Sequence, residues 1–262
     1  MGRSGRHLAG AAEGMLQIST EGRVGILRID RPERRNAIGA ELVNSLHDAF
    51  AKFDRDPAIG AILIEASPPG FCAGSDLKEL ARLDLEGISR HEAETATMVR
   101  SIGFLDKPVV AAVEGFALGG GFILAVACDV IVTAPNTRWH LPEVSLGWIP
   151  PWGLRALAAR VGPAVARRLT WGGEPIDGVE AQRLGIADHL ADRDGTTNEV
   201  AGAHARRLAA LPAPAVAATK RFFAPLVSRD GEPLDALASR LFEENCRSPA
   251  AVATLQRFAV KA

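Results

Sequence analysis

Cysteine is scarce in this chain: Cys72, Cys128 and Cys246 are odd in number and far apart. That spacing suggests neither a disulfide framework nor a clustered metal site, and a reducing compartment, the cytoplasm, is the simple reading. Net charge is nearly absent too. At −1, with Lys and Arg scattered rather than striped, the sequence lacks the basic footprint that a nucleic-acid backbone requires. Long apolar runs are missing: residues 109–113 and 122–126 fall far short of the roughly 18 residues of a membrane span. Residues 1–14 contain Arg3, Arg6 and His7 but no continuous apolar stretch, so they read as a flexible tail and not as a secretory signal. Nor does any fixed-period repeat of the solenoid kind occur.

What is present is ordinary globular material. The 262 residues, 47% hydrophobic and 23% charged, fit one large core with a smaller appendage better than two equal domains. Short apolar runs at 24–29, 61–64 and 109–113, each bounded by turn residues, predict buried strands. Between the first two, Leu42, Val43, Leu46, Phe50 and Phe53 recur at helical spacing, and Asp56-Pro57 stops the helix. A fourth strand is expected at 130–133, reached through a short helix that starts at Gly119-Gly120-Gly121. From Pro163 onward the pattern turns helical, with segments at 164–171, 179–184, 199–210, 215–223, 234–244 and 250–260. Polar turn residues at Asp194-Gly195-Thr196 divide residues 15–195, an α/β core, from residues 196–262, a helical region.

Two glycine-bearing loops stand out. Residues 107–122 run from a strand through a turn into the helix start at Gly119-Gly120-Gly121. Glycine lets a backbone approach a ligand closely, and the first N–H groups of a helix have no internal partner, so such a junction can face a developing negative charge. The run has neither the Gly-x-Gly-x-x-Gly of a dinucleotide site nor the Gly-Lys-Ser/Thr end of a phosphate loop, and tight helix–strand packing is its other reading. The second loop, Phe71-Cys72-Ala73-Gly74-Ser75-Asp76-Leu77-Lys78, follows the strand that starts at Ala61 and is, taken alone, a plain strand–turn–helix junction.

The octet 71–78 resembles the Phe-Cys-Ala-Gly-Ala-Asp-Leu-Lys motif of the enoyl-CoA hydratase/isomerase, or crotonase, superfamily, and the glycine run resembles that family's second motif. The resemblance extends from about Gly22 to the C-terminus, through Arg31-Pro-Glu-Arg-Arg-Asn-Ala37, Leu141-Pro-Glu-Val-Ser-Leu-Gly147 and Ala181-Gln-Arg-Leu-Gly185. It implies an α/β fold, a crotonase-type spiral of repeated β-β-α units with a C-terminal α-helical region, assembled as a homotrimer or hexamer. It also implies an acyl-CoA thioester substrate, with coenzyme A entering as part of that substrate and no separate cofactor or metal. The family's two oxyanion N–H groups fall on Ser75, where Ala is more usual, and on Gly120, and Glu143 takes the place of its catalytic glutamate. Ala73, Asp76, Leu77 and Lys78 lie in the segment that lines the family's adenine and pantetheine groove. Arg34 and Arg35 stand where basic residues approach the CoA phosphates, although surface arginines are commonly just solvated; Phe258 and Lys261 match a Phe-x-x-Lys pair that reaches CoA from a neighbouring subunit.

One position departs from the pattern. The hydratases carry a second glutamate one turn into the helix after the glycine run, and here that residue is Ile123. With Gly120 it forms an i, i+3 pair, so it faces the same pocket, and it can neither hold nor deprotonate a water. A single carboxylate suffices to move a proton from C2 to C4 of a 3-enoyl thioester, so the resemblance favours double-bond isomerisation. Hydration, or a catalytically silent CoA-binding protein, is the alternative. His140 is read as a buried or edge residue on the face opposite Glu143, and Trp152, in the Pro-rich loop that follows, as either a pocket wall or packing.

Overall fold

The computed structural model describes residues 14–259, so Lys261 and all but the last residue of the 1–14 tail lie outside the described residues. The chain begins with a hairpin, β1 (Leu16–Glu21) and β2 (Val24–Ile29), followed by α1 (Ala40–Arg55) and β3 (Ala61–Ala66). Next come the single turn α2 (Leu77–Leu80) and the long α3 (Leu85–Ser101), and then two units of the same design: β4 (Val109–Val113), β5 (Phe116–Leu118) and α4 (Gly120–Val126), and β6 (Val130–Thr133), β7 (Arg138–His140) and α5 (Glu143–Leu146). The remainder is α6 (Leu154–Thr170), α7 (Gly178–Arg183), the short β8 (His189–Leu190), α8 (Thr197–Ala209), α9 (Ala213–Ser228), α10 (Gly231–Cys246) and α11 (Pro249–Ala259).

Each of these two β-β-α units sends its first strand to the large sheet and its second to the small one. The large sheet has the order β1-β2-β3-β4-β6-β8, parallel except for the opening hairpin, and β5 pairs with β7 in a small second sheet. Within the large sheet β2, β3, β4 and β6 are covered on both faces, and for that reason they read as continuous apolar runs rather than alternating ones. Along β4, Val109, Ala111 and Val113 enter the main core with Phe50 and Phe53 of α1, while Val110 and Ala112 face Ala201, Ala205 and Ala209 of α8. Those alanines let α8 lie close: a Cβ added at Gly60 would fall 2.6 Å from the Ala209 carbonyl oxygen. After Asp194-Gly195-Thr196 only helices follow among the described residues, and α8, the first of them, covers the sheet and closes its second face.

Other elements differ from expectation for local reasons. Strands β1, β5 and β8 and helices α3 and α5 were not predicted, the strand read up to Glu143 is β7 and ends at His140, and α6 begins at Leu154, kinking at Gly162 (φ 76°) just before Pro163. Helix α3 is hidden in the sequence because the face it buries includes His91, Glu92 and Thr95 beside Ile88, Met98 and Val99. Glu143, expected just after a strand and before a loop, is set in a helical turn instead. It opens α5, and β7 has already ended at His140, so strand alternation does not decide which way Glu143 points.

Candidate active site

The small sheet aligns the loops that matter. Leu118 sits opposite His140 in the β5–β7 register, so Gly119-Gly120 and Glu143 emerge side by side from neighbouring strand ends. The 71–75 loop joins the same row through a Cys72–Ala117 bridge, with the Leu118 N–H donating to the Cys72 carbonyl at 2.9 Å. On its other side Ile38 clamps it: the Ile38 N–H donates to the Gly74 carbonyl (2.8 Å), and the Ile38 carbonyl accepts from Asp76 N–H (2.9 Å). This pairing occupies groups on both sides of Ser75 and leaves the Ser75 N–H, among the described residues, without a backbone acceptor. The Gly120 N–H, first in α4, is equally free. Gly74, at φ 89°, brings the two together; a Cβ there would lie 3.0 Å from Gly120 N and from the Leu118 carbonyl oxygen, so any other residue would be strained. Two unpartnered backbone donors at one spot can hold an oxyanion.

Glu143 lies beside them. A Cβ on Gly119, at φ 53°, would be 2.6 Å from Glu143 Oε1, so the carboxylate rests directly on the glycine backbone. Its Oε2 is buried and has no hydrogen-bond partner among the described residues. Burial pushes the Glu143 pKa up to about 7; its own backbone N–H opposes the shift, and the nearby charge of Glu92 adds to it. The group can thus accept and return a proton near neutrality.

The same shift makes a prediction about stability. Because the folded pKa lies above the ordinary 4.5, the proton is held more tightly in the folded state. The resulting stability is complete below the ordinary pKa and is lost as pH rises through about 7. Glu143→Gln removes that loss, which is on the order of 3 kcal/mol. Thermal melts should therefore show the variant more stable than the parent at about pH 8, with the gap narrowing toward about pH 5. A gap of the same size at both ends would show that Glu143 is already ionised throughout.

One cavity collects Ala73, Ser75, Leu77, Gly120, Ile123 and Glu143 from among the residues singled out in the sequence. Ile123 is buried directly beneath Gly153, where any side chain would overlap its Cγ2. The other wall is aromatic and apolar, with Trp148, Trp152 and Phe242. Among the described residues, Arg34, Arg35, Asp76, Lys78 and Phe258 lie outside this lining. Asp76 is occupied structurally: its carboxylate caps α2 through the Lys78 and Glu79 N–H groups (3.2 and 3.3 Å) and pairs with Arg31 and Arg34 (3.3 and 3.8 Å). Arg35 has φ 54° and lays its guanidinium over Phe116 at 4.6 Å, while Lys78 is half-buried on α2. From α11 it is Leu255, not Phe258, that lines the cavity. His140 contacts the Gly173 carbonyl at 2.9 Å through Nε2 and is not part of the lining.

Two residues gain importance from the structure. Trp152 is buried with its six-membered ring against Gly120, where a Cβ would be 3.1 Å from Cζ2, and its indole N–H donates to Glu92 Oε2 at 2.6 Å. Glu92 itself was missed; the available signal was an acidic residue four positions after Ile88, inside a helical stripe that continues to Ala96 and Val99.

Paired parallel layers of β-β-α units, with two free N–H groups and a carboxylate where their loops meet, define a crotonase-type enzyme fold. A family model for enoyl-CoA hydratase/isomerase matches residues 19–261, and the chain belongs to that family of acyl-CoA enzymes. It is 37% identical over 206 residues to a probable enoyl-CoA hydratase of Rhizobium meliloti, covering 78% of this chain and 79% of the relative. It is 33% identical over 185 residues to the crotonyl-CoA hydratase of Syntrophomonas wolfei, covering 70% and 71%. Among solved structures, an enoyl-CoA hydratase/isomerase from Mycobacterium paratuberculosis superposes with a TM-score of 0.85 over 92% of this chain and 97% of that one; at 24% identity this likeness concerns the fold.

Proposed function

We propose that this enzyme shifts the double bond of an enoyl-CoA thioester, using Glu143 as the single proton carrier and the Ser75 and Gly120 N–H groups as the oxyanion hole. The observation that carries the proposal is the buried Glu143 carboxylate, resting on Gly119 beside two free donors with its Oε2 unpartnered among the described residues, and apolar Ile123 where the family's second glutamate would stand. In this scheme the thioester oxygen sits between the two N–H groups, ionised Glu143 removes the C2 proton of a 3-enoyl thioester, and the hole stabilises the dienolate. The same carboxyl then returns its proton at C4, leaving the conjugated 2-enoyl product. A panel of 2-enoyl and 3-enoyl thioesters, followed by mass and absorbance, tests it: rising near-ultraviolet absorbance at constant mass supports isomerisation, and an inert protein refutes it.

Hydration is the second reading, and the observation favouring it is Glu92, a further carboxylate lining the cavity. If Ile123 is what limits water addition, Ile123→Glu should introduce or raise 2-enoyl-CoA hydration, provided circular dichroism shows that the buried acid is tolerated. No gain in a folded variant would mean that Ile123 does not decide between the two reactions. Assembly as a homotrimer or hexamer belongs to the same proposal. The exposed side chains of Trp171, Phe222 and Leu226 support a subunit contact, which light scattering in solution would test.

A further inference from the structure

The Trp148–Gly153 loop is fastened at successive points to two helices that none of the sequence motifs include. Ile149 N–H donates to Asn245 Oδ1 at 3.1 Å, Trp152 Nε1–H to Glu92 Oε2 at 2.6 Å, and Gly153 N–H to Asp235 Oδ1 at 2.8 Å. Asp235 is itself held by Arg100 Nη1 at 2.6 Å, whereas Glu92 has no cationic partner among the described residues. Glu92 is 3% exposed, yet it lines the cavity that holds Glu143, and only its Oε2 is engaged by the indole. A buried carboxylate without a counter-charge is costly to keep, and a well-packed core gives no reason to place one there.

We propose that Glu92 is a positioning residue of this active site: its carboxylate fixes the Trp152 indole against Gly120, and so holds the oxyanion-hole loop in register, while placing a second negative charge behind Glu143. The proposal rests on the reading of Glu143 as the proton carrier. The indole is the physical link, since one edge touches the hole glycine and the other donates to Glu92. The charge acts on Glu143 directly, as a like charge disfavouring its ionised form. The other titratable or charged groups around the pair are Cys246, Glu243 and Asp235 on α10 and His91 and Arg100 on α3. Of these, Glu243 bonds Ser89 and Asp235 is neutralised by Arg100, and of these groups only Cys246 lines the cavity.

The test compares Glu92→Leu, Glu92→Gln, Trp152→Phe and Glu143→Gln with the parent, on 3-enoyl-CoA and 2-enoyl-CoA probes. Glu92→Leu and Trp152→Phe each break the link and should lower kcat by about 10- to 100-fold, as expected for misplacement of reacting groups, with KM little changed. Glu92→Gln keeps an acceptor for the indole, so it should recover most of the kcat lost in Glu92→Leu. Without the charge, its acid limb of kcat/KM should move to lower pH, because Glu143 then ionises more readily. Parental kcat in Trp152→Phe, or equal losses in the Gln and Leu variants with an unmoved acid limb, would overturn the assignment. The Trp152→Phe and Glu92→Gln results decide the matter if Glu92→Leu does not fold. Glu143→Gln separates the two levels. If it retains turnover, or the parent is inert on every probe, the underlying reading of the site fails; if it is inactive while the Glu92 and Trp152 variants behave as the parent, only the role of Glu92 fails.

Discussion

Glu143→Gln is expected to lower turnover by about 10²- to 10⁴-fold, the range over which a positioned acid–base group accelerates proton transfer, while leaving acyl-CoA affinity nearly unchanged. The two effects separate because different parts of the site produce them. In the proposed scheme thioester binding rests on backbone donors and on the apolar wall formed by Trp148, Trp152 and Phe242, none of which this substitution would disturb. Glutamine matches the carboxylate in shape and fits against Gly119, but it cannot take a proton from carbon. Stopped-flow or steady-state kinetics together with calorimetric titration of acetyl-CoA would resolve the pair. Retained turnover would remove Glu143 from the mechanism.

The second large effect concerns the oxyanion hole. Gly120→Pro deletes one of the two donors, a contribution of about 3 to 4 kcal/mol in transition-state stabilisation, and should reduce activity by about 10²- to 10³-fold or more. Gly120→Ala is the steric control: it keeps the N–H but brings a methyl group to 3.1 Å from the Trp152 ring, so it should lose less than the proline variant. At Ser75 the proposed donor is also main chain, and Ser75→Ala, which keeps it, should cost far less than Gly120→Pro. A large loss in Ser75→Ala would show that the hydroxyl takes part and that the chemistry differs from enolate stabilisation alone.

How much of this could be read before the fold was known follows from how each residue is buried. Strands β2, β3, β4 and β6 were legible because both faces are covered, which turns them into apolar runs between turn residues. Strands β5, β7 and β8, at three, three and two residues, are too short for a period to show, and it is β5 and β7 that set Gly120 beside Glu143. Ser75, Gly120 and Glu143 were found through ordered motifs rather than periodicity. Composition alone could not tell the glycine run from tight packing; the free Gly120 N–H and the contact between Gly119 and Glu143 support the first reading, while Gly121, where a Cβ would overlap the Cys72 carbonyl oxygen, packs tightly as well. Glu92 escaped because the polar residues of α3 mask a helix whose buried face reaches the cavity. Asp76 was read as a groove residue; its capping and ion-pair contacts, invisible in the sequence, also tie down the loop on which Ser75 sits.

The most direct measurement is the mass and absorbance of the product formed from a 3-enoyl-CoA thioester by the parent protein and by Glu143→Gln. The account predicts a conjugated product of unchanged mass from the parent and essentially none from the variant. A product heavier by one water, or equal rates for the two proteins, would contradict it.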